Sequence, residues 1–243
     1  MVRRCLLGLT YADGEVSQKP MIHRKAPIEP STGSARHVWI HQNPAGHRAQ
    51  RIEQRLIDHI VQLAHEQPEA AAGLIGRDVR LAAEVSSWGE SAVQAASQLG
   101  HRELLSHLRE IGVELDLFAA CALGDRKLIR AKWRPDSSIR LGIHSLPLLH
   151  FGIVSRDLGI VEMLLEFGAE VNPDAASISP LHSAVAIGSW AMVRFLLTVG
   201  ASASVVDAFG ATPLDWAYAL ENRDSQIVDL FERPFDSCKR LLA

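Results

Sequence analysis

The sequence predicts an all-α chain, a solenoid of stacked helix-turn-helix pairs behind a poorly structured N-terminal extension. Three observations predict it. An 18-residue interval recurs, from Gln94 to Gly112, from His150 to Gly168 and from His182 to Gly200. His182 and Asp215, which hold the same place in two such units, lie 33 residues apart, a spacing typical of helical repeat arrays. At Arg51 the texture of the chain changes, and apolar residues begin to recur at helical spacing.

Composition bounds the rest. With 243 residues, 47% of them hydrophobic, the chain can bury a sizeable core. Its 25 Lys and Arg stand against 28 Asp and Glu, a net −3, so the whole chain carries no electrostatic footprint for nucleic acid. Cys5, Cys121 and Cys238 are odd in number and lack the paired spacing of a zinc site, which leads us to expect a reducing, cytoplasmic setting. The apolar stretch Cys5 to Thr10 is shorter than the roughly 7–15 residues of a secretory signal core, and no run approaches the roughly 18 of a membrane span. No membrane association is expected, and a monomer is favoured.

Residues 1–50 read as a basic, extended or disordered arm. Pro20, Pro27, Pro30 and Pro44 interrupt it before any apolar period develops. Seven Lys and Arg against three acids give the arm +4 and leave −7 to the remainder, so the arm, with Trp39 and Ile40, has the charge to lie against its own array. Met21 offers a second possible start. Residues 51–86 read as N-terminal helices. In the first, Ile52, Leu56, Ile57, Ile60, Val61 and Ala64 share one face and the helix stops before Pro68. The second is Ala-rich and is expected through Leu74 to Val85.

Residues 87–145 read as two degenerate units. Ser91-Ala92-Val93-Gln94 leads to Gly100, Leu104, Leu105, Leu108 and Gly112, and Leu117 to Asp125 with Leu128 and Ile129 forms another pair. Gly100 and Gly124 are 24 residues apart, which leaves almost no room for a connecting loop. Residues 146–176 and 177–209 form two fuller units. The second runs from Ser179-Pro180-Leu181-His182 through Gly188, Val193, Leu196 and Leu197 to Gly200-Ala201. Ser179 and Thr212 suit helix caps, Pro180 and Pro213 suit the first helical residue, and Gly188 and Gly200 suit helix ends that need positive φ. Residues 210–236, opening on Thr212-Pro213-Leu214-Asp215 and rich in Asp224, Asp229 and Glu232, read as a polar terminal cap.

These motifs resemble the ankyrin-repeat family, most strongly over residues 145–232 and more weakly over 88–134. Departures are visible: Arg156 stands where a glycine belongs, Leu148 where a proline belongs, and Asp215 where the histidine belongs. The resemblance implies that His150 and His182 hydrogen-bond backbone between units. It also implies a concave partner-binding face built from the first helices and the loops before them. Carried onto this sequence, the helix side contributes Leu99, Leu123, Phe151, Val154, Ile187, Trp216 and Leu220, with Trp216 the strongest candidate for pure packing. The loops contribute Trp88, His144, Ile178 and Phe209. Apolar surface of this kind marks an interaction site, and aromatic side chains are its usual anchors.

Chemical motifs are weak by contrast. His37 and His41 are four residues apart but stand near no other ligand type. His65-Glu66-Gln67-Pro68-Glu69 lacks the second histidine of the zinc-protease helix and is broken by its proline. No phosphate-cradling loop or nucleophile elbow is present, so no cofactor, metal or catalysis is expected. The expected function is therefore binding of another protein. The alternative is a small enzyme or small-molecule-binding protein with its site between the N-terminal helices and the first units. Nucleic-acid binding would rest on the basic arm alone.

Overall fold

A computed structural model describes residues 44–134, 141–174 and 176–220, with side chains from Glu53 onward. The arm up to residue 43, with Met21, His37, Trp39, Ile40 and His41, lies outside the described residues, as does the chain beyond Leu220, including Asp224, Asp229 and Glu232. Among the described residues every regular element is helical. They are α1 (Pro44–Glu66), α2 (Pro68–Ile75), α3 (Ala92–Leu99), α4 (Arg102–Glu110), α5 (Leu117–Leu123), α6 (Arg126–Lys132), α7 (Leu148–Val154), α8 (Leu158–Glu166), α9 (Pro180–Ala186), α10 (Trp190–Thr198) and α11 (Pro213–Ala219). Isolated antiparallel bridges, Val85 with Ser91 and Leu141 with Pro147, close two hairpin loops. The described residues from Arg51 onward form one compact unit.

Two expectations for the N-terminal helices need correction. The first helix opens at Pro44, seven residues before Arg51. A proline is no obstacle there, because the first helical residue has no intrahelical partner for its N–H. Its buried stripe is Ile57, Ile60, Val61 and Ala64, while Leu56 is 41% exposed and falls outside it. The second helix stops at Ile75 rather than reaching Val85. Asp78 then caps a short 3-10 turn, Val79–Ala82, and Val85 already belongs to the first hairpin.

From Ala92 onward the helices come in pairs. The first helices of successive pairs, α3, α5, α7, α9 and α11, pack in order on one another, and α4, α6, α8 and α10 each fold back on their own first helix. Side-chain oxygens of Ser91, Asp116, Asp125, Asp157, Ser179, Ser189 and Thr212 accept from backbone N–H groups at the helix starts. Each such cap stabilises by about 1 kcal/mol relative to Ala.

Three of these caps explain why the opening position of the 18-residue interval varies between Gln, His and Asp. In each, the side chain three residues on accepts from the cap's own N–H: Gln94 from Ser91 at 2.9 Å, His182 from Ser179 at 3.2 Å, and Asp215 from Thr212 at 2.7 Å. What the position requires is an acceptor, not an imidazole. The α7 unit departs because its cap is Pro147, which has no N–H to give. His150 therefore has its Nδ1 free, and that atom takes the Ser183 hydroxyl at 2.9 Å instead.

The α5–α6 pair is short and no hairpin precedes it, so α3 touches α7 as well as α5. The approach is close. Gly100 ends α3 at φ 66, and a Cβ there would stand 2.6 Å from the Val154 carbonyl oxygen. His150 Nε2 donates across the same junction to the Gln98 carbonyl at 2.8 Å. At the far end of α7, Arg156 adopts φ 61, the conformation Gly188 supplies after α9.

Candidate protein-binding face

Three loops stand ahead of first helices, each fixed by its own hydrogen bonds. In loop 85–91, Ser86 N–H donates to Glu90 O at 2.8 Å and Glu90 N–H to Ser86 Oγ at 3.1 Å. Helix α1 holds this loop from outside: Gln54 donates to Val85 O at 3.1 Å, and Asp58 accepts from Ser87 N at 2.7 Å and Ser87 Oγ at 2.9 Å. Burial raises the Asp58 carboxyl, but these bonds outweigh it and lower its pKa. Trp88 is exposed at the tip, its indole N–H donating to Glu90 Oε2 at 3.2 Å.

In loop 141–147, Gly142 N–H donates to Leu146 O at 2.8 Å, and His144 and Ser145 sit successively at φ 55 and 57. In loop 207–211, Asp207 Oδ1 accepts from Phe209 N and Ala211 N, both at 2.9 Å, and Oδ2 accepts from Trp216 Nε1 at 2.9 Å. Burial works against the Asp207 carboxylate, but these donors hold its pKa below the usual value. The result is a rigid loop carrying Phe209, which is 79% exposed.

The expected face is only partly accessible. Trp88, His144 and Phe209 are exposed, and Leu99, Leu123, Ile187 and Trp216 are half-buried. Phe151, Val154, Ile178 and Leu220 are buried, so their assignment to an accessible face is corrected to packing. Phe151, at 1% exposure, lies with its ring centroid 4.9 Å from Phe118, and Val154 faces Gly100. Phe118 of α5 and Gly142 of loop 141–147 cover Phe151, and the end of α3 covers Val154. Trp216 meets His182 edge-on at 5.1 Å and gives its N–H to Asp207, which is structural work.

Between α3, α5 and loop 141–147 lies a cavity of about 170 Å³, lined by Phe118, Leu141 and Ile143 with Gln94, Ser97 and Asp116. Its lining is mixed, polar and apolar alike, suited to one side chain that carries both an apolar body and a hydrogen-bonding group. The sequence reading passed over this cavity, and also Glu90. Wholly buried, Glu90 has His65 Nε2 at 3.3 Å and His144 Nε2 at 3.7 Å. These partners come from α1 and from another loop, so no spacing rule could have found them.

His150 and His182 both hydrogen-bond backbone, as the resemblance implies. His182 Nε2 donates to Ala211 O at 3.0 Å and His150 Nε2 to Gln98 O at 2.8 Å. A carbonyl only accepts, so each Nε2 carries the proton and each Nδ1 accepts. Burial keeps both rings neutral: His150 is pushed down to about 4 and His182 is lowered, each despite the bond to its carbonyl.

No model of a known protein family matches the chain. It is similar to Protein PhlB of Serratia liquefaciens, 35% identical over 117 residues, which cover 46% of this chain and 50% of the relative. It is also similar to the BTB/POZ domain and ankyrin repeat-containing protein NBCL of Lupinus angustifolius, 32% identical over 49% of this chain and 27% of the relative. Protein phosphatase 1 regulatory subunit 27 of Homo sapiens is 30% identical over 36% of this chain and 55% of its own length. The chain thus matches about half or less of each of these relatives. No helix among the described residues is long and apolar enough to cross a membrane.

Proposed function

We propose that the chain is an ankyrin-type array that binds another protein through its loop tips and the accessible flank of its first helices. The observation that carries the reading is Phe209, an aromatic ring 79% exposed on a loop that Asp207 holds by three hydrogen bonds. A large apolar side chain on a pre-ordered loop is a ready hot spot, because binding need not order the loop again. Trp88 repeats the arrangement on loop 85–91, and the 170 Å³ cavity offers a socket for one anchoring side chain of the partner. Similarity to an ankyrin repeat-containing protein supports the same reading.

The alternative, a small-molecule site between the N-terminal helices and the first pair, has buried Glu90 in its favour. Both carboxylate oxygens already face donors, however, and the nearby cavity is lined by other residues and falls below the roughly 300 Å³ of ordinary ligand pockets. Cys121, buried with its thiol pushed up, packs as an apolar residue and fits the cytoplasmic setting we propose.

The test is affinity capture from the native host by the full chain, compared with a variant carrying Trp88→Ala and Phe209→Ala. The reading expects a reproducible partner that binds saturably when purified and loses at least about tenfold in affinity with the variant. Equal affinity for both proteins, at equal thermal stability, overturns it.

A further inference from the structure

Glu90 is an uncommon residue to find wholly buried in a loop. Four groups from four parts of the fold face its carboxylate. Trp88 Nε1 and His144 Nε2 lie at Oε2, and His65 Nε2 and the Gln98 side-chain amide lie at Oε1. They come from loop 85–91, loop 141–147, the end of α1 and α3 respectively.

The His65 ring can be read atom by atom. Its Nδ1 is 2.9 Å from the Val61 carbonyl oxygen, which only accepts, so Nδ1 carries a proton in every state. Nε2 then decides the charge. Protonated, it makes an imidazolium paired by charge with Glu90 Oε1 at 3.3 Å, and the Gln98 amide nitrogen, also a donor, must then turn away from it. Unprotonated, it accepts from Gln98 Nε2 at 2.9 Å, and the second Gln98 hydrogen still serves Glu90. Gln98 is held for this task, since its own backbone carbonyl takes the His150 proton. The unprotonated ring thus fits the Gln98 amide as it stands, whereas the protonated ring gives the buried carboxylate a charged partner and requires Gln98, whose buried Oε1 has no hydrogen bond among the described residues, to reorient.

The His144 side adds a second observation. Two successive non-glycine residues at positive φ, His144 and Ser145, are strained and persist where their surroundings hold them. Here Ser145 O accepts from Ser177 N at 3.0 Å, and the His144 imidazole reaches Glu90.

We propose that Glu90, His65 and His144 form a pH-operated clamp that draws the end of α1 and loop 141–147 onto loop 85–91. The clamp sets how the two loops are spaced, whichever partner the array binds. It grips when His65 is charged and slackens when His65 loses its proton.

The direction follows from the surroundings. Burial lowers the His65 pKa, but the hydrogen bond and charge of Glu90, the Val61 carbonyl and neighbouring Glu66 outweigh it, and the value is raised above 6.5. Burial raises Glu90, but the imidazoles of His144 and His65 beside it, with the Trp88 hydrogen bond, bring it to about 2. His101, the other titratable group packed here, gives its Nε2 to the His65 carbonyl at 3.1 Å. A raised histidine contributes stability that is full below pH 6.5 and lost as pH rises through its folded value. A depressed carboxyl contributes stability present above pH 4.5 and lost as pH falls toward about 2. The clamp is therefore tightest between pH 4.5 and 6.5.

The experiment compares urea unfolding of the full chain with that of Glu90→Gln and His65→Gln at about pH 5.5 and about pH 8. His150 and His182 titrate in the opposite sense in all three proteins, so the difference between wild type and variant isolates the clamp. The wild-type advantage in folding constant is expected to shrink between the two pH values, by up to about tenfold for each unit by which the His65 pKa is raised. An advantage unchanged by pH overturns the proposal. Should either variant fail to fold, nuclear magnetic resonance of the wild type decides. His65 is expected to titrate above 6.5 with the Trp88 indole N–H signal moving in step. A His65 midpoint at or below 6.5, or a Trp88 signal that ignores it, overturns the proposal.

Discussion

The α9–α11 junction and the α3–α7 junction place the same residue type at the same position of the repeat and use it differently. At the first, His182 completes a capping box with Ser179 and passes its Nε2 proton to Ala211, 29 residues ahead in the next loop. At the second, Pro147 removes the N–H that would occupy Nδ1, and His150 bonds Ser183 ahead and Gln98, 52 residues behind. One histidine staples neighbours, and the other staples three first helices, α3, α7 and α9. The compressed junction gains connectivity and loses the accessible surface that Val154 would have offered.

The comparison breaks most sharply at Gly100. Gly100→Ala would press a Cβ to 2.6 Å from the Val154 carbonyl and keep a non-glycine residue at φ 66, and is expected to cost more than about 3 kcal/mol in urea unfolding. Gly112→Ala, at φ 94 but with nothing within 4 Å, should cost only about 1–2 kcal/mol. Equal losses would mean that α3 and α7 are not pressed together.

Next come the histidines. His150→Phe leaves the Gln98 carbonyl and Ser183 hydroxyl without their partner and should cost about 2–4 kcal/mol, against about 1–3 for His182→Phe. Hydrogen exchange sharpens the contrast, since the first variant should expose amides in α3 and α9 and the second those in α11. An acid limb accompanies them. Both histidines must stay neutral, so their contribution is full above pH 6.5 and lost as pH falls, toward about 4 for His150. Unfolding midpoints should therefore drop over that window, and His150→Phe should flatten the drop more than His182→Phe.

The smallest effect is a gain. Arg156→Gly relieves a side chain at φ 61 and should stabilise by about 0.5–1 kcal/mol, read as a higher Tm. A loss instead would show that the Arg156 side chain makes a contact worth more than the strain.

Local chemistry was legible in the sequence. Ser179 and Thr212 announce helix starts, Pro180 and Pro213 mark first helical residues, and Gly188 and Gly200 take the positive φ that ends a helix. Each depends on neighbours within four residues, while the near-absent loop between Gly100 and Gly124 follows from the 24-residue spacing of two helix ends. The accessible face was less legible. Helical periodicity says which residues share a side, but not whether a neighbouring helix covers it, and so Phe151, Val154, Ile178 and Leu220 were read as surface. Phe209 and Trp88 were read correctly as exposed because loop tips are covered by little. The sequence by itself thus determined the paired helices from Ala92 onward and the caps at Ser179 and Thr212, because those are short-range hydrogen bonds and apolar stripes. Only the tertiary structure decided that α3 meets α7 and that Glu90 gathers His65, Gln98 and His144, because groups 8 to 54 residues away come together only when the stack is built.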